Sequence, residues 1–74
     1  MTEKHIKLSR DTVVTFVKKS QQCDFNIDIS YGHTEVDAKS LLGMLSLDSS
    51  RIMHVKYYGK NEDLEGYINE LAVE

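Results

Sequence analysis

The fold is decided by residues 24–37, which read DFNIDISYGHTEVD. Apolar and polar residues alternate strictly up to Ser30, with Phe25, Ile27 and Ile29 on the apolar side. This period of two is typical of a strand that buries one face. Gly32 then supplies a turn into a short extended run. We therefore predict a hairpin, with strand two over residues 24–30 and strand three over residues 34–37.

Two further segments alternate in the same way and extend the predicted sheet. Strand one covers the opening residues, where Ile6 and Leu8 share one side. Strand four covers residues 51–58, where Met53 and Val55 share one side. Each predicted strand therefore has one apolar face, which is typical of a sheet that packs against helices on a single side.

Three segments carry apolar residues at helical spacing. Helix A is predicted after Asp11, because four apolar residues gather on one face. Helix B is predicted over residues 39–47, where the apolar stripe is wider than one buried face of a short helix, and the polar residues 48–50 end it. Helix C is predicted after Asn61, a favourable N-cap followed by an acidic first turn. The apolar residues of helix A are Val13, Val14, Phe16 and Val17.

The element order is therefore β-α-β-β-α-β-α, in a chain of 74 residues of which 41% are hydrophobic. A chain of this length buries only about 60% of its unfolded surface, which is too little for two cores. We predict a single α+β domain over residues 1–74, with an antiparallel sheet and the helices on one face. The predicted core is Ile6, Leu8, Val13, Phe16, Val17, Phe25, Ile27, Ile29, Val36, Met53, Val55, Leu64, Ile68 and Leu71.

Charge and composition exclude several functional classes. The formal net charge is −3, whereas general nucleic-acid binders and proteins of anionic membrane surfaces need a basic surplus. Residues 1–20 hold most of the basic side chains and residues 61–74 hold only acidic ones, so the basic end would steer an acidic partner. With one cysteine and no long apolar run, we expect a cytoplasmic protein without disulfides, nucleic-acid partners or membrane partners.

Residues 38–47 read AKSLLGMLSL and closely resemble the serine-site helix of HPr, the histidine-containing phosphocarrier family of the bacterial phosphotransferase system. The resemblance covers most of residues 13–72, through the hairpin, the Gly32 turn, and Gly59 with the acidic helix that follows it. It implies an HPr-like open-faced β-sandwich, whose four-stranded sheet runs 1-4-2-3 with three helices on one face.

The chain departs from the family where the phosphorylated histidine is expected. Family members carry it in a loop after strand one, within a His-x-Arg-Pro sequence that opens helix A. Here Leu8-Ser9-Arg10-Asp11 leads almost directly into the helix, and the chain has no proline. The departure implies that histidine phosphotransfer is missing and that Arg10 lies near the position of the family's arginine. His5, His33 and His54 match no phosphorelay position.

Ser40 matches the serine that a dedicated kinase phosphorylates in many relatives. A helix start suits a phosphate, because free N–H groups and the positive end of the helix dipole meet it. The alternative is that Ser40, alone or with Asp37, only caps helix B. The resemblance assigns partner docking to the neighbouring leucines, although core burial would explain them equally well, and Met44 is expected in the core. The candidate partner-binding residues are Lys39, Leu41, Leu42, Leu45 and Arg10.

The remaining reactive side chains have simpler explanations. His5 and His54 project from neighbouring strands away from the core, but a structural zinc site takes four ligands, so we expect solvated histidines and no metal. Cys23 is expected in the core, and Ser9-Arg10-Asp11 suits helix capping. No catalytic constellation or phosphate-binding loop is recognisable, so we expect neither an enzyme nor a cofactor.

The leading hypothesis is a regulatory or adaptor protein of the phosphotransferase system that acts through Ser40 and the surface of helix 40–47. Its expected partners are a serine kinase and proteins of the phosphotransferase system or of transcriptional regulation. One alternative is a phosphoryl carrier that uses Ser9 or His5. Another is a scaffold domain unrelated to sugar transport, which self-associates through the edge of strand three. We expect a monomer, or a weak dimer under the scaffold alternative.

Overall fold

A computed structural model describes residues 1–47 and 51–73. The predicted polar end of helix B, residues 48–50, lies outside the described residues. Within them no helix is long and apolar enough to cross a membrane. The element order is the predicted one. The elements are β1 (Thr2–Lys7), α1 (Arg10–Gln21), β2 (Ile27–Tyr31), β3 (Thr34–Asp37), α2 (Leu41–Leu45), β4 (Ile52–Tyr57) and α3 (Glu62–Leu71).

The four strands form one antiparallel sheet in the order β1-β4-β2-β3, which confirms the predicted order. β4 is a central strand that pairs with β1 along one edge and with β2 along the other. The register sets Met53 opposite Ile6 and Val55 opposite Ile29. Inward side chains of neighbouring strands therefore form continuous apolar rows, which is how paired strands stabilise a sheet.

The last described residues extend the sheet beyond β1. Ala72 forms an isolated antiparallel bridge with Ile6, and the backbone N–H of Val73 donates to the carbonyl of His5 at 2.9 Å. The outer edge of β1 is therefore partly covered by the segment that follows α3, which reduces the number of unpaired backbone groups at that edge.

The hydrophobic core lies between the sheet and the three helices. Phe16 of α1, Ile27 of β2 and Leu64 of α3 are fully buried. Every predicted core residue is either buried or packed against the buried cluster, and Cys23 and Met44 lie in that cluster as expected. The structure adds Ala38, Leu47 and Tyr57 to the core.

Helix α1 buries a narrower face than the sequence predicts. Its buried side chains are Val13, Phe16, Val17 and Ser20. We expect Val14 on this face, but it is 39% exposed, because at about 100° per residue it lies beyond Val17, outside the arc that the four buried residues occupy. Ser20 completes the buried stripe, and its hydroxyl has no hydrogen-bond partner among the described residues. A pattern based on apolar residues alone does not recognise this serine as part of the core.

Gly59, just after β4, is required by the packing of Phe25. The Phe25 ring stacks on Tyr57, with ring centroids 5.7 Å apart. A Cβ atom on residue 59 would overlap the Phe25 ring. The backbone of Gly59 also has a φ of 152°, a conformation that residues with side chains rarely adopt. Phe25 lies two residues before β2 begins and packs against the core. The absence of a side chain at Gly59 leaves the space for its ring.

Gly59→Ala is expected to lower the free energy of unfolding by about 1–3 kcal/mol, the usual cost of overpacking a well-packed site. Gly66→Ala is the matched control, because a Cβ atom there meets nothing within 4 Å, and removing a glycine from a helix interior stabilises by about 0.5–1 kcal/mol. Urea unfolding measures both changes. Equal stability of the two variants would contradict the assigned role of Gly59.

Candidate functional site

The connection between β1 and α1 consists of Leu8 and Ser9. Leu8 is buried in the core, and Ser9 is the N-cap of α1. The backbone N–H of Ser9 donates to Oγ1 of Thr12 at 2.8 Å, while Asp11 lies in the first turn. Helix α1 thus starts earlier than predicted. The backbone N–H of Ser9 at this helix end is therefore already paired within the helix N-terminus.

The three histidines of the chain lie away from this connection. His5 is in β1, His33 follows Gly32 in the hairpin turn, and His54 is in β4. None of them lies between the end of β1 and the start of α1. No histidine therefore lies at the place where the sequence analysis expects that of the family.

Ser40 caps α2. Its Oγ accepts a hydrogen bond from the backbone N–H of Gly43 at 3.1 Å, and its side chain is exposed. Asp37 instead accepts from the backbone N–H of Lys39 at 2.9 Å, so it stabilises the turn before the helix. The sequence did not identify Gly43 as part of the site. A Cβ atom there would lie 3.2 Å from Ser40 Oγ, so the glycine leaves room for the serine side chain.

Helix α2 divides its apolar residues between the core and the solvent. Met44 is 2% exposed and anchors the helix. Leu41, Leu42 and Leu45 are 39%, 83% and 54% exposed. We call these three leucines the α2 patch. The alternative of core burial therefore does not hold for the three leucines, whereas it does hold for Met44.

Lys39 links the segment before α2 to the end of α1. Its Nζ donates to the carbonyl of Cys23 at 2.8 Å, and its own carbonyl accepts from Nε2 of Gln21 at 2.9 Å. The side chain that was expected to bind a partner is thus engaged within the molecule. Its ammonium group satisfies a carbonyl just beyond the C-terminus of α1, where a positive charge is favourable.

Arg10 and Ser40 are not brought together. Arg10 is exposed at the first position of α1, whereas the Gln21–Lys39 contact places the start of α2 beside the last position of α1. Eleven residue steps of helix separate the two ends of α1, which corresponds to roughly 16 Å at 1.5 Å per residue. Arg10 and the α2 patch are therefore separate parts of the surface.

Cys23 has a structural environment. Burial raises the pKa of its thiol, and the positive charge of Lys39 opposes this effect only in part. The Sγ atom lies 3.6 Å from the carbonyl of Lys19, to which the thiol donates. A thiol that stays protonated is a poor nucleophile, which agrees with the core role expected for Cys23.

Ser40→Ala is expected to lower the free energy of unfolding by about 1 kcal/mol, because the N–H of Gly43 loses its acceptor. Ser40→Asp keeps an acceptor oxygen at the cap and should differ from the wild type by a few tenths of a kcal/mol at most, as expected between good N-caps. Chemical denaturation of the three proteins tests this. Equal destabilisation by alanine and aspartate would show that the hydrogen bond from Gly43 does not account for the loss of stability.

Comparisons with known proteins agree with this geometry. The family model described as "PTS HPr component phosphorylation site" matches residues 10–73. Among solved structures, HPr-C-His from Thermoanaerobacter tengcongensis superposes with a TM-score of 0.75 at 22% identity, covering 95% of this chain and 89% of that one. The phosphocarrier protein HPr from Bacillus anthracis strain Ames gives a TM-score of 0.73 at 19% identity, covering 95% of each chain. No curated protein sequence matches. A family match over residues 10–73, together with this fold, shows that the chain belongs to the HPr family of the phosphotransferase system.

Proposed function

We propose that this HPr-family protein is a bacterial cytoplasmic adaptor, which binds other proteins through the α2 patch and is regulated by phosphorylation of Ser40. It is not an enzyme under this proposal, and it does not carry a phosphohistidine. The observation that carries the proposal is the exposure of the three leucines of the α2 patch, which follow Ser40, the solvent-exposed N-cap of the same helix.

Loss of the carrier function follows from the short connection before α1. A phosphocarrier needs an accessible imidazole held beside donors that can stabilise the phosphate. Here Ser9 and Thr12 occupy that helix end with hydrogen bonds to each other. The fold of the family is retained while its reactive group is absent from the position where the fold would present it.

Partner binding follows from the exposure of the α2 patch. Covering exposed leucine side chains with a partner would stabilise the complex by about 25 cal/mol for each Å² of apolar surface removed from water. Three of them on one five-residue helix form a contiguous apolar surface, and such surfaces usually mark protein interaction sites. Because Met44 anchors the helix from below, a partner would find these leucines already positioned.

Regulation follows from the position of Ser40 beside this patch. A phosphate would add about −1.5 to −2 charges at neutral pH, next to Leu41. The ammonium group of Lys39 is held at the Cys23 carbonyl, so it would have to leave that contact to pair with the phosphate. The new charge would therefore act on the partner: it would attract a basic surface and repel an acidic one. A serine kinase and proteins of the phosphotransferase system or of transcriptional regulation are the expected partners.

Phosphoenolpyruvate-dependent labelling should be absent. Purified protein would be incubated with phosphoenolpyruvate and the first enzyme of the phosphotransferase system, with a phosphocarrier HPr as the positive control. The expected result is label on the control and none on this chain, because no histidine lies at the start of α1. Acid-labile phosphate on His5, His33 or His54, or stable phosphate on Ser9, would support the carrier alternative instead.

The serine kinase that modifies relatives should add one phosphate to the wild type and none to Ser40→Ala, as measured by intact mass. Ser46→Ala is the matched control and should still take up one phosphate, because Ser46 is an exposed serine at the opposite end of α2. The phosphorylated form should keep a melting temperature close to that of the unmodified form, since a phosphate oxygen can still accept from Gly43. An unmodified wild type, or a large loss of stability on modification, would leave Ser40 as a helix cap only and favour the scaffold alternative. Light scattering against concentration tests that alternative directly.

A further inference from the structure

Two histidines face each other on the open side of the sheet, between the outer strand β1 and its neighbour β4. His5 of β1 and His54 of β4 are directly opposite in the antiparallel register. Their imidazole rings are stacked, with centroids 4.9 Å apart and planes inclined by 13°. Four ring nitrogens are thereby gathered in a small region of one surface, on two strands that the sheet holds at a fixed spacing.

This pair is open to solvent. The helices cover the opposite face of the sheet, where Ile6, Met53 and Val55 are buried. His5 is exposed, and the His54 side chain is 32% exposed. An ion from solution can therefore reach the imidazoles without any movement of the backbone.

Charged groups flank the pair along both strands: Glu3 and Lys7 are two positions from His5, and Lys56 is two positions from His54. Oε1 of Glu3 lies 3.2 Å from Nε2 of His54. Lys56, the nearest cation along β4, is 3.9 Å from the carboxylate of Glu35. On the β2 side, Ser30 is opposite His54. A carboxylate that accepts from one ring nitrogen orients the imidazole and leaves the other nitrogen to act as a ligand, which is a common arrangement around protein-bound metals.

We propose that His5 and His54 form a two-imidazole site for a borderline divalent transition-metal ion of the Ni²⁺, Cu²⁺ and Zn²⁺ group. Imidazole nitrogen binds these ions at about 2.0–2.1 Å for Zn²⁺. Two such bonds require donor nitrogens roughly 3 Å apart, which exposed side chains can reach by rotation about their χ angles.

Water completes the coordination. Within residues 1–47 and 51–73 no group of three or more His, Cys, Asp or Glu side chains is arranged to hold a metal ion. Glu3 is therefore assigned to orient His54 and not to bind the ion. The site would be exchangeable and of moderate affinity, unlike a structural zinc centre with four protein ligands.

Metal binding here would connect two strands that are distant in the sequence. β1 also accepts the last described residues through the His5 carbonyl and Val73. An ion bridging His5 and His54 would therefore hold β1 on the central strand and, through β1, the segment after α3. Binding to the folded state alone raises the melting temperature, which gives a readout that does not require a known partner.

The test uses the full chain and Zn²⁺ or Ni²⁺ alone, in a buffer that does not chelate metals. Titration calorimetry should give one ion per chain, and saturation should raise the melting temperature. His5→Gln and His54→Gln should each weaken binding by at least about tenfold, because losing even an outer-shell partner of a metal ligand costs about 10–100-fold in affinity. His33→Gln is the matched control and should bind like the wild type, since His33 lies in the hairpin turn.

A second measurement does not depend on the stability of the variants. NMR follows the chemical shifts of the imidazole nitrogens in the wild type during the metal titration. The ring signals of His5 and His54 should move together on adding Zn²⁺, while those of His33 stay in place. Unchanged binding in His5→Gln, or shifts confined to one of the two rings, would overturn the proposal. So would an unchanged melting temperature at a large excess of metal.

Discussion

The pairing of β4 with β1 along one edge and with β2 along the other is the constraint on which the other contacts depend. Met53, Val55 and Tyr57 of β4 are almost completely buried, and the two partner strands come from distant parts of the sequence. Helices α1 and α3 pack over the apolar rows that result. Because side chains alternate along a strand, the register that buries Met53 and Val55 also sets His54 beside His5 on the open face.

Helix α2 holds its position through contacts outside the helix. Five residues make too few backbone hydrogen bonds for an isolated helix to be stable. Met44 and the nearby Leu47 are buried in the core, and Lys39 and Gln21 link the segment before the helix to the end of α1. These contacts fix the helix at both ends, and as a consequence its leucines face the solvent beside Ser40.

The chain keeps the fold of its family at low sequence identity. The sheet and the three helices, α2 among them, are retained at 22% and 19% identity to solved HPr structures. The connection between β1 and α1 consists of two residues, and one of them, Leu8, contributes to the core. The chain presents two separate surfaces: the apolar α2 patch on the helix side, and the imidazole pair of His5 and His54 on the open face of the sheet.

The sequence by itself determined the strands, the order of the elements and most of the core, because period-two alternation and helical spacing are local properties. The string AKSLLGMLSL also indicated the family, and the missing proline is the basis for proposing that histidine phosphotransfer is absent. Only the tertiary structure decided which apolar residues of α1 and α2 are buried. Val14 and Leu42 are exposed because neighbouring elements cover other faces of these helices. It also decided that Lys39 binds the Cys23 carbonyl and that two histidines 49 positions apart stack on each other. These contacts depend on how elements distant in the chain are placed against each other, and no local pattern encodes that placement.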